Sequence, residues 1–293
     1  MKTQGTKLRE AVEQYKPLQI LGVINAYSAI QAQKCGAKAL YLSGGALAAM
    51  SLGVPDLGIS SLEDVCVDVR RITAASDLPL LVDADTGWGG AFNIARTIRE
   101  LTRSGAGGCH IEDQVAQKRC GHRPNKELVS PQEMCDRVKA AVDARLDSSF
   151  VVMARTDAHA SEGQQAALDR AALYVESGAD MIFAEAIHTL EEYKQFTQHI
   201  KVPVLANITE FGKTPYFTRD ELGSVGISMV LYPLSAARAM CKAALGVFED
   251  IIQNGSQKKS IESMQTRAEL YETLGYHEYE QKLDKLFNQN KSK

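Results

Sequence analysis

No apolar run in this chain approaches the roughly 20 residues needed to cross a bilayer, and residues 1–10 are charged, with nothing like the apolar core of a secretory leader. A cytoplasmic protein without membrane contacts is expected. Charge of one sign is also missing: Lys and Arg number 33 against 36 Asp and Glu, a net −3 that leaves no footprint for nucleic acid. The cysteines are few, 6 in 293 residues, and scattered, so no disulfide framework is expected and a reducing compartment fits. Nucleotide motifs are absent too. No Gly-x-Gly-x-x-Gly follows the first apolar run, which weakens a dinucleotide reading, and the glycine-rich run 83–90 lacks the Lys-Ser/Thr that ends a phosphate-cradling loop. Position twelve counted from Asp83 is Ile94, which excludes an EF-hand. The single tryptophan, Trp88, falls in the same run, either as a wall of a site or as packing.

What the chain does have is a repeat of position. Cys35-Gly36-Ala37, Ser104-Gly105-Ala106 and Ser177-Gly178-Ala179 each precede an apolar run that ends in a polar residue seven positions after the glycine: Ser43, Glu112 and Glu185. Glycine just past a helix supplies the left-handed turn that stops it, and a strand of ordinary length follows. The runs 78–83 and 202–207 open instead on Pro79 and Pro203, tolerated at the start of a strand, and they too end polar. Helix starts are marked by capping pairs: Ser60 with Glu63, Ser130 with Glu133 (Pro131 standing at the first helical position), Ser161 with Gln164, Thr189 with Glu192 and Thr218 with Glu221. Apolar runs near 19–25, 38–43, 79–85, 107–113, 150–156, 180–186, 202–208 and 227–232 alternate with amphipathic helices, and eight such units is the number that closes a parallel barrel. The expected class is α/β, a (β/α)8 barrel forming one domain over 1–293, with an open doubly wound sheet as the other arrangement of the same elements. Residues 256–293 are polar but carry apolar side chains at Ile261, Met264, Leu270, Leu283 and Leu286. This pattern reads as a helical extension packing outside the barrel, on a partner subunit.

Barrel strands carry their chemistry at their C-terminal ends. The tips that should converge are Ser43-Gly44-Gly45, Asp83-Ala84-Asp85, Glu112-Asp113, Arg155-Thr156-Asp157, Glu185 and Asn207-Ile208-Thr209. Asp83 and Asp85, two apart on a strand, should project to one face, and converging carboxylates without compensating lysines repel unless a cation sits between them. Oxygen ligands suit Mg2+ or Mn2+; the plainer reading is that each aspartate caps a turn. The second chemical feature is Lys118-Arg119-Cys120-Gly121-His122-Arg123-Pro124, a thiol among permanent cations and a histidine, in a segment without apolar periodicity. Positive charge favours the thiolate, so Cys120 exchanges a proton near neutral pH more readily than a free cysteine does. A buried, inert cysteine in a basic loop is the alternative. Zinc held by Cys109, His110, Cys120 and His122 is disfavoured, because Cys109 and His110 point to opposite faces of a strand and Cys-x-His is a short spacing. His110 shares its face with Glu112, as support for a site or as an ordinary core histidine.

Taken together, Tyr41-Leu42-Ser43-Gly44-Gly45, Asp83-Ala84-Asp85, His110-Ile111-Glu112-Asp113-Gln114, Lys118-Arg119-Cys120-Gly121-His122-Arg123, Met153-Ala154-Arg155-Thr156-Asp157 and Asn207-Ile208-Thr209-Glu210 resemble the isocitrate lyase/phosphoenolpyruvate mutase superfamily over nearly the whole chain. The Lys-Arg-Cys-Gly-His core resembles its lyase members, which cleave 2-hydroxy acids. The continuation Arg123-Pro124-Asn125-Lys126 is similar to the group acting on a methyl-branched tricarboxylate. Phosphonate-forming members lack the Cys-Gly-His segment. The resemblance implies a barrel whose last helix is exchanged with a neighbour in a homotetramer, and Mg2+ or Mn2+ held by Asp83 and Asp85 with Glu112 reaching it through water. It implies substrate contacts from Ser43, Gly44, Gly45, Cys120, Gly121, Arg155, Glu185, Asn207, Ile208, Thr209, Arg238 and Arg267. In such chemistry a hydroxyl loses its proton, its carbon becomes a ketone, and the other fragment departs as an aci-carboxylate that must be protonated. Cys120 is then the acid, His122 and Arg155 belong to the charged surroundings that support it, and Tyr41 or Asp56 takes the hydroxyl proton.

Overall fold

The computed structural model describes residues 2–118 and 126–288. Eight parallel strands close into a barrel in chain order: β1 Leu18–Gly22, β2 Ala39–Leu42, β3 Leu80–Asp83, β4 Gly108–Glu112, β5 Val151–Thr156, β6 Met181–Ala184, β7 Val204–Asn207 and β8 Met229–Tyr232. The ring closes where β8 pairs with β1 in the register Leu18↔Met229 through Leu21↔Tyr232, which leaves no open edge and excludes the doubly wound sheet. Except on β1, whose outward face carries the exposed Gln19, the strands are apolar on both faces because both are buried. Ile20, Tyr41, Leu81, Met153, Phe183, Leu205 and Leu231 fill the interior, while Leu40, Val82, Cys109, Val152, Ile182, Ala206 and Val230 pack against the surrounding helices. Cys109 and His110 therefore do face opposite ways. The helix Gln4–Gln14, capped by Thr3, adds Leu8, Ala11 and Val12 to the inner cluster and so fills the barrel from one end.

Local chemistry explains the junctions. Gly36, Gly105 and Gly178 have φ of 90°, 93° and 106°, the conformation that the repeated helix stop requires. Thr189 with Glu192 and Thr218 with Glu221 form reciprocal capping boxes, and Ser130 accepts from the Glu133 N–H with Pro131 in the first turn. Two capping expectations need correction. The helix Leu62–Ala75 is capped by Ser61 with Asp64 in place of Ser60 with Glu63. Ser60 is buried, and its carbonyl accepts the Trp88 indole N–H at 2.9 Å, so Trp88 ties its loop to the segment ahead of this helix. Ser161 lies inside the short helix His159–Glu162, and Gly163, at φ 89°, starts the helix Gln164–Glu176 without a side-chain cap.

Two compact units divide the chain between Ala237 and Arg238. The helix Ser235–Asn254 runs across that point, so the second unit starts within a helix. The second unit continues through the 3-10 turn Lys258–Ser263 and the helices Arg267–Leu274 and Tyr276–Asn288. Among the described residues no helix is long and apolar enough to cross a membrane.

Candidate active site

Backbone strain marks one end of the barrel. Asp85, Trp88, Ala186 and Phe211 have positive φ without being glycine, and all lie in loops that follow β3, β6 and β7. Such conformations cost an L residue roughly 1–3 kcal/mol and persist where the surrounding structure imposes them.

The carboxylates do converge, but not by strand alternation. β3 ends at Asp83, and Asp85 sits in the left-handed turn beyond it, at φ 48°. The Asp85 carbonyl still accepts from the Glu112 N–H at 2.9 Å, which holds that turn against β4. Asp83 Oδ1 accepts from the Asp85 N–H and Oδ2 from the Gly44 N–H, each at 3.0 Å. A Cβ on Gly44 would stand 3.1 Å from both Asp83 Oδ2 and Asp85 Oδ1, so two oxygens point at one small space that a glycine leaves open. Gly45 stands likewise against Asp56, 3.0 Å from its Oδ2 to an added Cβ, and Ser43 caps the short helix that carries both glycines.

A lysine does compensate these groups, contrary to the sequence reading. Lys118, almost fully buried, reaches Asp56 at 2.7 Å and pairs with Asp85 as well. Even so, among the described residues, Asp56, Asp83, Asp85, Glu112, Asp157 and Glu185 outnumber the cations Lys118, Lys126 and Arg155 around them. Burial and the adjacent Asp83 push the Asp85 carboxyl up to about 7, and burial also raises Glu112. Burial acts on Asp83 too, but His110, Lys118 and Arg155 outweigh it and hold that carboxyl below the ordinary range. Glu112 Oε1 is buried without a hydrogen-bond partner among the described residues. Converging carboxylate oxygens, an unmatched negative charge and an orphaned buried oxygen fit a hard divalent cation, with Asp83 and Asp85 as its holders and Glu112 at the rim.

A pH dependence follows. Asp85 titrates near 7 in the metal-free protein and at about 3.9 in an unfolded chain. The folded apo form binds the extra proton, so this group's stabilisation is full below pH about 4 and is lost as pH rises through about 7. A cation needs the ionised form. The apparent affinity for Mg2+ should fall up to about tenfold per pH unit below 7, and Mg2+ should raise the melting temperature more at pH 8 than at pH 6. Titration calorimetry at those two pH values checks this; an affinity independent of pH would contradict it.

Behind the carboxylates lies a proton-ordered chain. Tyr41 Oη is 2.9 Å from His110 Nε2 and 3.4 Å from Asp83 Oδ2. Burial lowers the imidazole to about 4, so His110 is neutral. We assign its proton to Nε2: it then donates to Tyr41, and Tyr41 donates to Asp83. The buried Nδ1, which has no partner among the described residues, is left as a lone pair and not as an orphaned N–H. His110 is thus a support for the site.

Arg155 is aimed by Asp157. Its Nε donates to Asp157 Oδ2 at 2.9 Å and its Nη2 to Oδ1 at 3.2 Å, while Nη1 lies 3.4 Å from Glu112 Oε2 and the guanidinium sits over the Phe183 ring. Asp157 is held in turn by Lys126 at 2.7 Å and, through its N–H, by Asp113, which also accepts from Thr156 and from the Tyr174 hydroxyl. Sequence reasoning counts Asp157 among the converging tips without giving it a partner, and gives no role to Lys126 or Tyr174. Alternation signals a polar tip but not which lysine, distant in the chain, will meet it.

Glu185, 4.0 Å from Arg155, accepts from Asn207 Nδ2 at 3.2 Å, and Ile208 and Thr209 are buried just beyond. Of the remaining sequence candidates, Cys120, Gly121 and His122 lie outside the described residues, and Arg238 and Arg267 belong to the second unit.

A closed (β/α)8 barrel with its carboxylates and arginine gathered at the C-terminal strand ends is a TIM-barrel enzyme. Residues 8–252 match the family model described as phosphoenolpyruvate phosphomutase. A 2-methylisocitrate lyase of Vibrio cholerae is 59% identical over 97% of this chain and 94% of its own length. The crystal structure of a 2,3-dimethylmalate lyase superposes with a TM-score of 0.90 at 34% identity, over 98% of this chain and 96% of that one. A phosphonopyruvate hydrolase, in complex with oxalate and Mg2+, superposes with a TM-score of 0.84 at 27% identity, over 97% and 98%. The chain belongs to the isocitrate lyase/phosphoenolpyruvate mutase superfamily, in its 2-methylisocitrate lyase branch.

Proposed function

We propose that this chain is a carbon–carbon lyase that cleaves 2-methylisocitrate to pyruvate and succinate, a step of the methylcitrate cycle in propionate catabolism. One observation carries the reading: the near full-length identity to lyases of that substrate. The site's chemistry agrees with it.

The substrate is a tricarboxylate with a tertiary hydroxyl. Asp83 and Asp85, with Glu112 through water, would hold Mg2+ or Mn2+, which when bound would supply the acidity that the hydroxyl lacks and the positive charge that the new carbonyl needs. Asp56 takes the hydroxyl proton. Its side chain is 27% exposed beside Lys118 and Gly45, whereas burial and Asp83 push the Tyr41 phenol well up, so Tyr41 keeps its proton. The bond between C2 and C3 then breaks, C2 becoming the ketone of pyruvate while the electron pair passes to C3 of the aci-carboxylate of succinate. Arg155, held by Asp157, and the cations of the 118–123 segment meet that charge, while Ser43, Gly44, Gly45, Gly121, Glu185, Asn207, Ile208 and Thr209 are the barrel's substrate contacts. Cys120, with His122 beside it in sequence, protonates C3. One proton leaves the hydroxyl and one arrives at C3, so the step balances.

Isocitrate lacks one methyl, which is worth about 1–3 kcal/mol in a fitted pocket, so kcat/KM should favour 2-methylisocitrate by about 10-fold or more, and a chelator should abolish both activities. Equal use of the two acids, or turnover that survives EDTA, would overturn the assignment. The superfamily resemblance makes the chain a cytoplasmic homotetramer with an exchanged C-terminal helix; the exposed Phe248, Ile252, Leu283 and Leu286 of the second unit offer apolar surface to a partner subunit, and light scattering of a monomer would refute that state.

A further inference from the structure

Outside the site described above, His159, His188 and Glu192 bring three metal-ligating side chains together, with one donor atom of each lying within 4.8 Å of the others. They come from successive segments at the same end of the barrel: His159 opens the short helix after β5, His188 follows β6, and Glu192 lies in the first turn of the helix Leu190–His199. Glu192 is fixed before any ligand arrives. Its Oε2 accepts from the N–H groups of His188 and Thr189 and from the Thr189 hydroxyl, at 3.0, 2.9 and 3.0 Å. Its Oε1 points outward and accepts from His159 Nε2 at 3.1 Å, the contact that an ion would replace. The two imidazoles stand edge to face with centroids 4.9 Å apart.

His159 is 9% exposed, and its Nδ1 is buried with no hydrogen-bond partner among the described residues. A tetrahedral ion with bonds of about 2.0–2.1 Å has ligand-to-ligand edges of roughly 3.4 Å. The edge between His159 and Glu192 is already near that length, and the exposed His188 side chain has a donor atom within 4.8 Å of both. Two imidazoles and one carboxylate with an open fourth position suit a borderline ion and not a hard one, so this donor set discriminates against Mg2+. Glu192 is also oriented from behind by its capping contacts, the kind of support that ordered metal ligands have.

We propose that His159, His188 and Glu192 form a binding site for a borderline divalent transition ion, Zn2+ being the representative, separate from the carboxylate site at the strand tips. Occupancy would clamp the loops after β5 and β6, which also carry Asp157 and Glu185. The test uses the full chain without an affinity tag, in excess Mg2+ so that the carboxylate site is filled. Zn2+ titrated by calorimetry should bind one equivalent per chain and raise the melting temperature. In His188→Ala, whose side chain is exposed, affinity should fall at least tenfold and the thermal shift should disappear. His159→Gln should do the same and guards against a local effect of the first variant. Co2+ bound in place of Zn2+ should give a spectrum without a thiolate charge-transfer band. Absence of Zn2+ binding in Mg2+, a loss smaller than tenfold in His188→Ala, or a thiolate band would each overturn the proposal, and none of these results bears on the lyase reading.

Discussion

Asp85→Ala should lose about 10³-fold or more in turnover, since the loss of a ligand that positions a catalytic cation forfeits several kcal/mol of transition-state stabilisation, and each 1.4 kcal/mol is about tenfold. The fold should not suffer. Asp85 is a carboxyl that burial and Asp83 already push toward its neutral form, and Lys118 keeps Asp56 as a partner when Asp85 is gone. Metal-free Asp85→Ala should therefore melt at or above the wild-type temperature near pH 8, where repulsion in the wild type is greatest. Asp83→Ala should be just as inactive and less stable. It strands the N–H groups of Gly44 and Asp85, and a buried donor without a partner costs about 1–3 kcal/mol. Melting curves and rates with and without Mg2+ separate the two variants; an Asp85→Ala enzyme of near wild-type rate would remove the metal from the mechanism.

Cys120→Ser should keep metal and substrate binding, because the side chains are nearly isosteric, and lose at least about 10² in turnover, the usual contribution of a positioned acid. A serine hydroxyl is too weak an acid to replace the thiol, and the cations of the 118–123 segment cannot bring it into range. Both ends of this segment are anchored by charge: Lys118 is paired with Asp56 and Asp85, and Lys126, just past Arg123-Pro124-Asn125, is paired with Asp157. Cys120 should also be alkylated faster than the other cysteines. Cys66, Cys109 and Cys135 are buried, with Cys109 pushed up to about 12 by burial, so exposed Cys35 and Cys241 are the informative controls. Peptide mapping after a short exposure to iodoacetamide, with and without pyruvate, succinate and Mg2+, should show Cys120 modified first and protected by the ligands. Labelling no faster than at Cys35 or Cys241, with an active serine variant, would leave the thiol without a role.

The barrel was legible because its signals are local. Gly36, Gly105 and Gly178 stop helices by their own conformation, and the polar residues at the strand tips interrupt apolar runs that nothing else would end. Caps were less secure where two solutions lay side by side: Ser60 with Glu63 and Ser61 with Asp64 have the same spacing, and the choice falls to Ser61 because Ser60 is drawn under Trp88. Asp85 reaches the site by a route other than alternation. Strand alternation stops at Asp83, and a left-handed turn restores the convergence, which no periodicity encodes. In sequence Lys118 neighbours the thiol, yet its ammonium lies among the carboxylates; Lys126 and Asp157 meet from 31 positions apart. Such long-range ion pairs are properties of the folded chain.

The most direct measurement is cleavage of 2-methylisocitrate in D2O followed by NMR. The account predicts pyruvate and succinate in equal amounts, the succinate carrying one deuterium delivered from an exchangeable acid, with the reaction abolished by EDTA and restored by Mg2+. Unlabelled succinate, product formation undiminished in EDTA, or an intact substrate under conditions where isocitrate is cleaved would contradict it.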